Sequence, residues 1–250
     1  MSEAEVHKGL VGVYADTSAI SKVMPESNSL TYRGYPVQEL AEHCCFEEVV
    51  YLLWHGELPN RRALAAFEKA ERAERRISLK LRNAIGAFPR RGHPMDAIRT
   101  AVSLMALEDP ETADNSEAAT RRKALRLLAK IPSAVAARHR LGHGKRVISP
   151  RSDLGFAANF FHLCFGRVPA PEVVKAFDVS LILYAEHTFN ASTFTARTVA
   201  STEADIHAAV TAAIAALKGP LHGGANEAVM HMLKEIGTPE RVAAWLEGRF

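Results

Sequence analysis

Cysteine is scarce in this 250-residue chain: Cys44, Cys45 and Cys164 are its three, and an odd number with an adjacent pair gives no disulfide framework. A reducing, cytoplasmic setting is expected from that. Long apolar runs are also missing, none reaching the roughly 18 uncharged residues that a membrane span needs. The opening "MSEAEVHKGLVGVYAD" lacks the apolar stretch behind a basic start that marks a secretory signal, so neither standard export nor membrane insertion is predicted. Charge of one sign does not dominate. Lysine and arginine number 31 against 28 acids, a net charge of +3, which leaves no nucleic-acid footprint, although local basic clusters could meet a phosphorylated small molecule. There is no G-x-S-x-G elbow, no P-loop and no G-x-G-x-x-G opening a helix after a strand, which argues against the nucleotide-binding folds. Internal repeats and low-complexity segments are absent as well.

What the chain does have is helical patterning, on a length sufficient for one large core or a core plus a smaller domain. The first thirty-five residues scatter Val11, Val13 and Ile20 among Gly12, Asp16, Ser18 and Ser21 around a "PESNS" turn cluster, and form the one predicted β region. From Pro36, which suits a first helical turn, helix follows helix. "FEEVVYLLWHG" carries Phe46, Val49, Val50, Leu53 and Trp54 with Gly56 as its stop. Residues 61–85 read as one charged helix with Leu64, Phe67, Ile77, Leu81 and Ile85 inside, its "ERRISLK" portion a basic patch. Pro94 opens the next. A long helix, "DNSEAATRRKALRLLAKIPSAVAARHRLG", should kink or split at Pro132, ahead of a loop at Gly142 and Gly144. "SDLGFAANFFHLCFG" is expected to start on a Ser/Asp cap, and "PEVVKAFDVSLILYAEH" to bury Val174, Phe177, Leu181 and Tyr184. "DIHAAVTAAIAALKG" reads as an alanine-rich interior or dimer-interface helix, followed by two short helices broken at Gly237-Thr238-Pro239.

Eleven histidines are present, and His7, His43, His55, His207 and His231 lie on helices or tails without a distinctive neighbourhood. His139 and His143 have the spacing of two metal ligands on a helix, but Gly142 interrupts them and no H-E-x-x-H pattern follows. Cys44-Cys45 reads as structural. His187, in "LYAEHTFNAST", ends an apolar helix among Glu186, Asn190, Ser192 and Thr193, a cluster that either caps the helix end or holds a polar ligand. His222 stands in "GPLHGGANE". There Gly219 can end a helix in the left-handed conformation, Pro220 stops it, and Gly223-Gly224 bare the next turn of backbone. A helix starting after the pair would aim its positive end at the ring and favour the neutral imidazole, whose N–H beside free amides suits a developing enolate. The bland alternative is a histidine capping a tight inter-helix turn.

The segments "YAEHTFNAST" and "GPLHGGANE", joined by the alanine-rich helix, resemble the paired active-site motifs of the citrate synthase family. "DTSAISKVMPESNSLTYRGYPVQELAEHCCFEEVVYLLWHGELP" is similar to that family throughout, most of all to its 2-methylcitrate synthase branch, and the likeness runs from about Gly9 to the end. The resemblance implies a mainly α, multi-helical fold with a short N-terminal β/turn region. It implies a large domain through residue 222, a small domain starting at 223, and a homodimer. The implied reaction is Claisen condensation of propionyl-CoA or acetyl-CoA with oxaloacetate, with no metal and no redox cofactor. His222 would then hydrogen-bond the thioester carbonyl, His187 and Asn190 would hold oxaloacetate, and the backbone at Leu221, Gly223 and Gly224 would lie near the acyl group. Arg75 is a weaker candidate for a CoA phosphate or substrate carboxylate, against a solvated helix face. Family members continue through a "GFGHR"-like motif, a catalytic aspartate and oxaloacetate-clamping arginines that residues 1–250 do not contain. The chain alone is therefore expected to be inactive or nearly so. Two rival readings are a non-catalytic helical module that dimerises and binds a ligand, and a metal hydrolase built on His139 and His143.

Overall fold

The computed structural model describes residues 16–249, so Val11 and Val13 of the expected β region lie outside it. Within it, β1 (Ser21–Met24), β2 (Ser29–Tyr32) and β3 (Tyr35–Pro36) form an antiparallel meander with Ser21 opposite Tyr32 and Thr31 opposite Pro36. Arg33 (φ 50°) and Gly34 (φ 91°) make the two-residue β2–β3 turn, both in the left-handed region that matches strand twist. Tyr32 is wholly buried and its hydroxyl donates to the Ile182 carbonyl at 2.9 Å, which pins the sheet to the end of a distant helix.

Twelve α-helices follow: α1 (Val37–His43), α2 (Phe46–His55), α3 (Arg61–Glu74), α4 (Leu79–Ala87), α5 (Pro94–Glu108), α6 (Glu117–Gly142), α7 (Phe156–Phe165), α8 (Pro171–Tyr184), α9 (Ala191–Ala200), α10 (Ile206–Leu217), α11 (Gly224–Ile236) and α12 (Val242–Glu247). Gly56 ends α2 in the left-handed conformation (φ 89°), as its place in the sequence predicts. Pro36 sits one residue before α1, at its N-cap. The helix expected over 61–85 is two helices. Ser78 Oγ accepts from the Leu81 amide at 2.9 Å, and this new cap outcompetes propagation of α3 past Arg75. By contrast α6 runs unbroken through Pro132 for 26 residues, because α3, α4, α5, α7 and α10 all pack on it and buried Ala129, Ala134, Ala136 and Ala137 let them come close.

Two helix starts are capped from across the core by carboxylates. The Ser/Asp cap expected for α7 is not used: Gly155 is the N-cap, and the amide of Phe156 donates to Oε1 of buried Glu47 at 2.8 Å. In the same way the Phe46 amide at the start of α2 donates to Asp178 Oδ1 at 3.3 Å. A carboxylate at the positive end of a helix suits both charge and orphan amide. In α8 the buried positions are Asp178 and Ile182, whereas Tyr184, expected inside, is 73% exposed where the helix runs out past the core.

The core has two main parts. Tyr32, Leu40, Leu52, Phe67, Phe156 and Ile182 join the sheet to α1, α2, α3, α7 and α8. Leu81, Ile85, Ile98, Val102 and Leu127 join α4, α5 and α6, with Ile206, Val210 and Ile214 of α10 laid against them. His207 was given no role by its sequence neighbourhood. It is 1% exposed, with Nε2 3.5 Å from Asp109 and Nδ1 3.2 Å from Asp205. Burial, the largest effect, pushes this imidazole below its ordinary 6.5, although both aspartates pull it back up. A histidine with a depressed folded-state pKa contributes stability that is present above its unfolded pKa and lost as pH falls through it. The melting temperature is expected to drop as pH is lowered below about 6.5, and the drop to be smaller in His207→Gln; equal slopes in the two proteins would refute the assignment.

Candidate active site

Two loops supply the site. The first leaves α8 and turns into α9, where Asn190 is the N-cap, its Oδ1 accepting from the Thr193 amide at 3.0 Å. Thr188 is held in the left-handed region (φ 57°), an unfavourable place for a β-branched residue, and its amide donates to Ser21 Oγ at 3.1 Å. Ser21 in turn donates to Glu186 Oε1 at 3.1 Å. The sheet thus fixes the polar loop from beneath. His187 lies on this loop, exposed, and its ring has no hydrogen-bond partner among the described residues.

The second loop joins α10 to α11. Gly219 does not adopt the left-handed conformation expected of it; α10 closes at Lys218 in ordinary helical geometry (φ −64°), and the Gly219 amide donates to Ala216 O at 3.1 Å. His222 N and Gly224 N both donate to the Gly219 carbonyl, at 3.0 and 3.1 Å, so the chain winds almost directly from one helix into the next. Glycine at 223 is a packing requirement: a Cβ there would sit 2.3 Å from the Leu217 carbonyl oxygen. The amides of Leu221 and Gly223 have no acceptor among the described residues, and the Leu221 side chain is fully exposed.

The loops meet at one point. His222, half-buried, places Nε2 3.0 Å from Ser192 Oγ, and Ser192 lies 2.7 Å from Asn190 Oδ1. The Asn190 amide oxygen can only accept, so the serine gives its one hydroxyl proton to Oδ1 and accepts at Oγ from the Nε2–H of the ring. His222 and Asn190 are therefore joined through Ser192, thirty residues from His222. Only the position of Ser192, two residues past a helix cap, was legible in sequence; its partner was not.

Arg75 is not at this site. It is 1% exposed, with Nε 2.9 Å from both oxygens of Glu71 and Nη1 donating to the carbonyls of Arg151 (3.0 Å) and Leu154 (2.7 Å). Neither the solvated face nor the phosphate contact expected of it fits a guanidinium sealed in the core. His139 and His143 lie with ring centres 4.6 Å apart and planes tilted by 45°, and His143 Nδ1 is 2.7 Å from the His139 carbonyl oxygen. Among the described residues no group of three or more His, Cys, Asp or Glu is placed to hold a metal. Burial, the largest effect, raises the Cys45 thiol far above its ordinary value; the side chain caps α2 together with Glu48. No helix among the described residues is long and apolar enough to cross a membrane.

Residues 9–250 match the family model for the citrate synthase C-terminal domain, and the chain belongs to the citrate synthase family. It is 56% identical over 249 residues to a citrate synthase of Mycolicibacterium smegmatis, covering 99% of this chain and 66% of that protein. It is 55% identical over 245 residues to a 2-methylcitrate synthase of Mycobacterium tuberculosis, covering 98% and 62%. The fold superposes with a TM-score of 0.90, at 29% identity and covering 98% of this chain and 64% of the other, on citrate synthase from Thermoplasma acidophilum in ternary complex with carboxymethyl coenzyme A and oxaloacetate. The chain thus spans less than two thirds of the length of each of these proteins.

Proposed function

We propose that residues 1–250 carry the enolate-stabilising part of an enzyme that condenses propionyl-CoA or acetyl-CoA with oxaloacetate and releases CoA. The observation that carries this is the Asn190–Ser192–His222 connection, which joins the two loops through one hydroxyl. In this reading the Nε2–H of His222, turned from Ser192, meets the thioester oxygen as the α-carbon loses its proton. The free amides of Leu221 and Gly223 lie beside it, with Gly224 closing the turn, and His187 and Asn190 face the keto acid. No metal or redox cofactor enters the reaction. The two acyl substrates differ by one methylene, worth about 1–3 kcal/mol of discrimination, and the relatives' names include both activities.

Within residues 16–249 no carboxylate is hydrogen-bonded to His222. The base that takes the α-proton comes, in this reading, from outside them, and the chain alone turns over little. The exposed apolar residues Val229, Met230 and Leu233 of α11 and Val242 and Leu246 of α12 support a small domain that begins at residue 223, and a homodimer. Three free cysteines support a cytoplasmic setting.

The test is thiol release from propionyl-CoA plus oxaloacetate by two proteins: the chain as it is, and the chain continued by the C-terminal remainder of the Mycolicibacterium smegmatis relative. The continued protein is expected to be faster by about 10²–10⁴, the usual contribution of a placed base. Equal turnover from the chain alone would overturn the placement of the base. A folded, continued protein without turnover would favour a non-catalytic ligand-binding module.

A further inference from the structure

A cleft of about 340 Å³ lies where α4 and α6 both end, and it shares no residue with either loop of the candidate active site. One wall is the connection from α4 to α5, the other the turn that leaves α6. Both walls are fixed. Arg138, 8% exposed, donates from Nη2 to the carbonyls of Pro89 (2.8 Å), Arg90 (3.3 Å) and Gly92 (3.3 Å), which ties the first wall to α6. The second wall is a left-handed helix stop: Gly144 has φ 69°, its amide donates to the Leu141 carbonyl at 3.1 Å, and the Lys145 amide donates to the Arg140 carbonyl at 2.8 Å. Arg140 Nε then closes the turn on the Arg146 carbonyl.

Four cations, Arg90, Arg138, Lys145 and Arg146, line this cleft, and among the described residues no carboxylate does. The exposed side chains of Arg90, Lys145 and Arg146 have neither a hydrogen bond nor an ion pair among the described residues. Cations do suit the C-terminal ends of helices, but two helix ends amount to about one negative charge, and the four cations exceed it and repel one another. Arg138 carries the sharper constraint. Its side chain is buried, yet Nε and Nη1 have no acceptor among the described residues and keep access to solvent, and the cleft is where that side chain surfaces. An anion there relieves the repulsion and satisfies the N–H groups. Between the cations Ile85, Phe88 and Leu141 form an apolar floor.

We infer that this cleft binds a small tricarboxylate: two carboxylates on the guanidinium forks of Arg90 and Arg146, the third on the free N–H groups of Arg138, Lys145 beside them, and the aliphatic body over Phe88 and Leu141. A planar guanidinium takes a carboxylate through two parallel N–H bonds, a match that a lone ammonium lacks. An oligophosphate would use the same forks but leave the apolar floor uncovered. Arg90, Lys145 and Arg146 are surface residues whose replacement leaves the core untouched.

The test is calorimetric titration of the 250-residue chain with tricarballylate, with glutarate, with inorganic tripolyphosphate and with ATP. Tricarballylate is expected to bind saturably at one site per chain, and more tightly than the other three. Arg90→Ala, Lys145→Ala and Arg146→Ala should each weaken it roughly three- to tenfold, each removing a charge-assisted contact. His187→Ala and His222→Ala should leave it unchanged. Absence of saturable binding, indifference to all three substitutions of the cleft, or glutarate binding as tightly as tricarballylate would each overturn the proposal. So would tighter binding of tripolyphosphate or ATP, which would make this a phosphate site, and so would loss of tricarballylate binding in His187→Ala, which would return the ligand to the candidate active site.

Discussion

Replacing His222 with alanine is expected to lower kcat for the proposed condensation by about 10²–10³, the usual loss when one donor to a developing oxyanion is removed. The measurement is thiol release by the continued protein, with circular dichroism to verify the fold. The ring is half-buried, and its one side-chain partner among the described residues is Ser192, so its removal leaves no buried charge behind. Ser192→Ala is expected to act through the ring instead of on the substrate: the imidazole loses the hydroxyl that orients it, and kcat should fall by about 10-fold, the scale of a lost hydrogen bond, with KM for oxaloacetate nearly unchanged. A His222→Ala protein with wild-type kcat would remove the histidine from the mechanism. A Ser192→Ala protein that changed KM alone would reassign the serine to substrate binding.

The largest effect on stability is expected at Glu71. Its carboxylate and the Arg75 guanidinium are each 1% exposed, and the pair is closed by the Arg151 and Leu154 carbonyls. Glu71→Ala leaves an arginine charge in the core without its counter-ion, at a cost of about 3–5 kcal/mol. In a chain of this length that lowers the melting temperature by about 10 °C, at roughly 2–4 °C for each kcal/mol. The double replacement Glu71→Met with Arg75→Met is expected to recover most of the loss, because desolvating an ion pair offsets much of its attraction. Calorimetric melting of the three proteins decides it: a double variant as unstable as Glu71→Ala would show that the carbonyl contacts of Arg75, not the unpaired charge, set the cost.

Much of this molecule was legible in its residues. Helix punctuation by Gly56, Pro94 and Gly166, the β region ahead of Pro36, and the two polar loops at 186–193 and 219–227 all rest on local chemistry, which a sequence displays directly. The misreadings share one cause. Ser78 splitting a charged helix, Glu47 capping α7 and Arg75 turning inward each depend on partners found only once the chain has packed. His207 is the sharpest instance. It gains a role from Asp109, nearly a hundred residues upstream, as well as from Asp205 beside it. Ser192 belongs to the same group, since nothing near residue 192 announces a ring at 222.

The hydroxyls of Tyr32 and Ser21 reach across 150 and 165 residues to Ile182 and Glu186. Closures over such spans form late in folding, because the entropy of the intervening chain must be lost first. The helices can therefore assemble while the turn before α9 is still unmoored, and that turn takes its shape only when the N-terminal meander docks. Damage to this small sheet would be felt as a displaced turn ahead of the Asn190 cap before it was felt as lost helix.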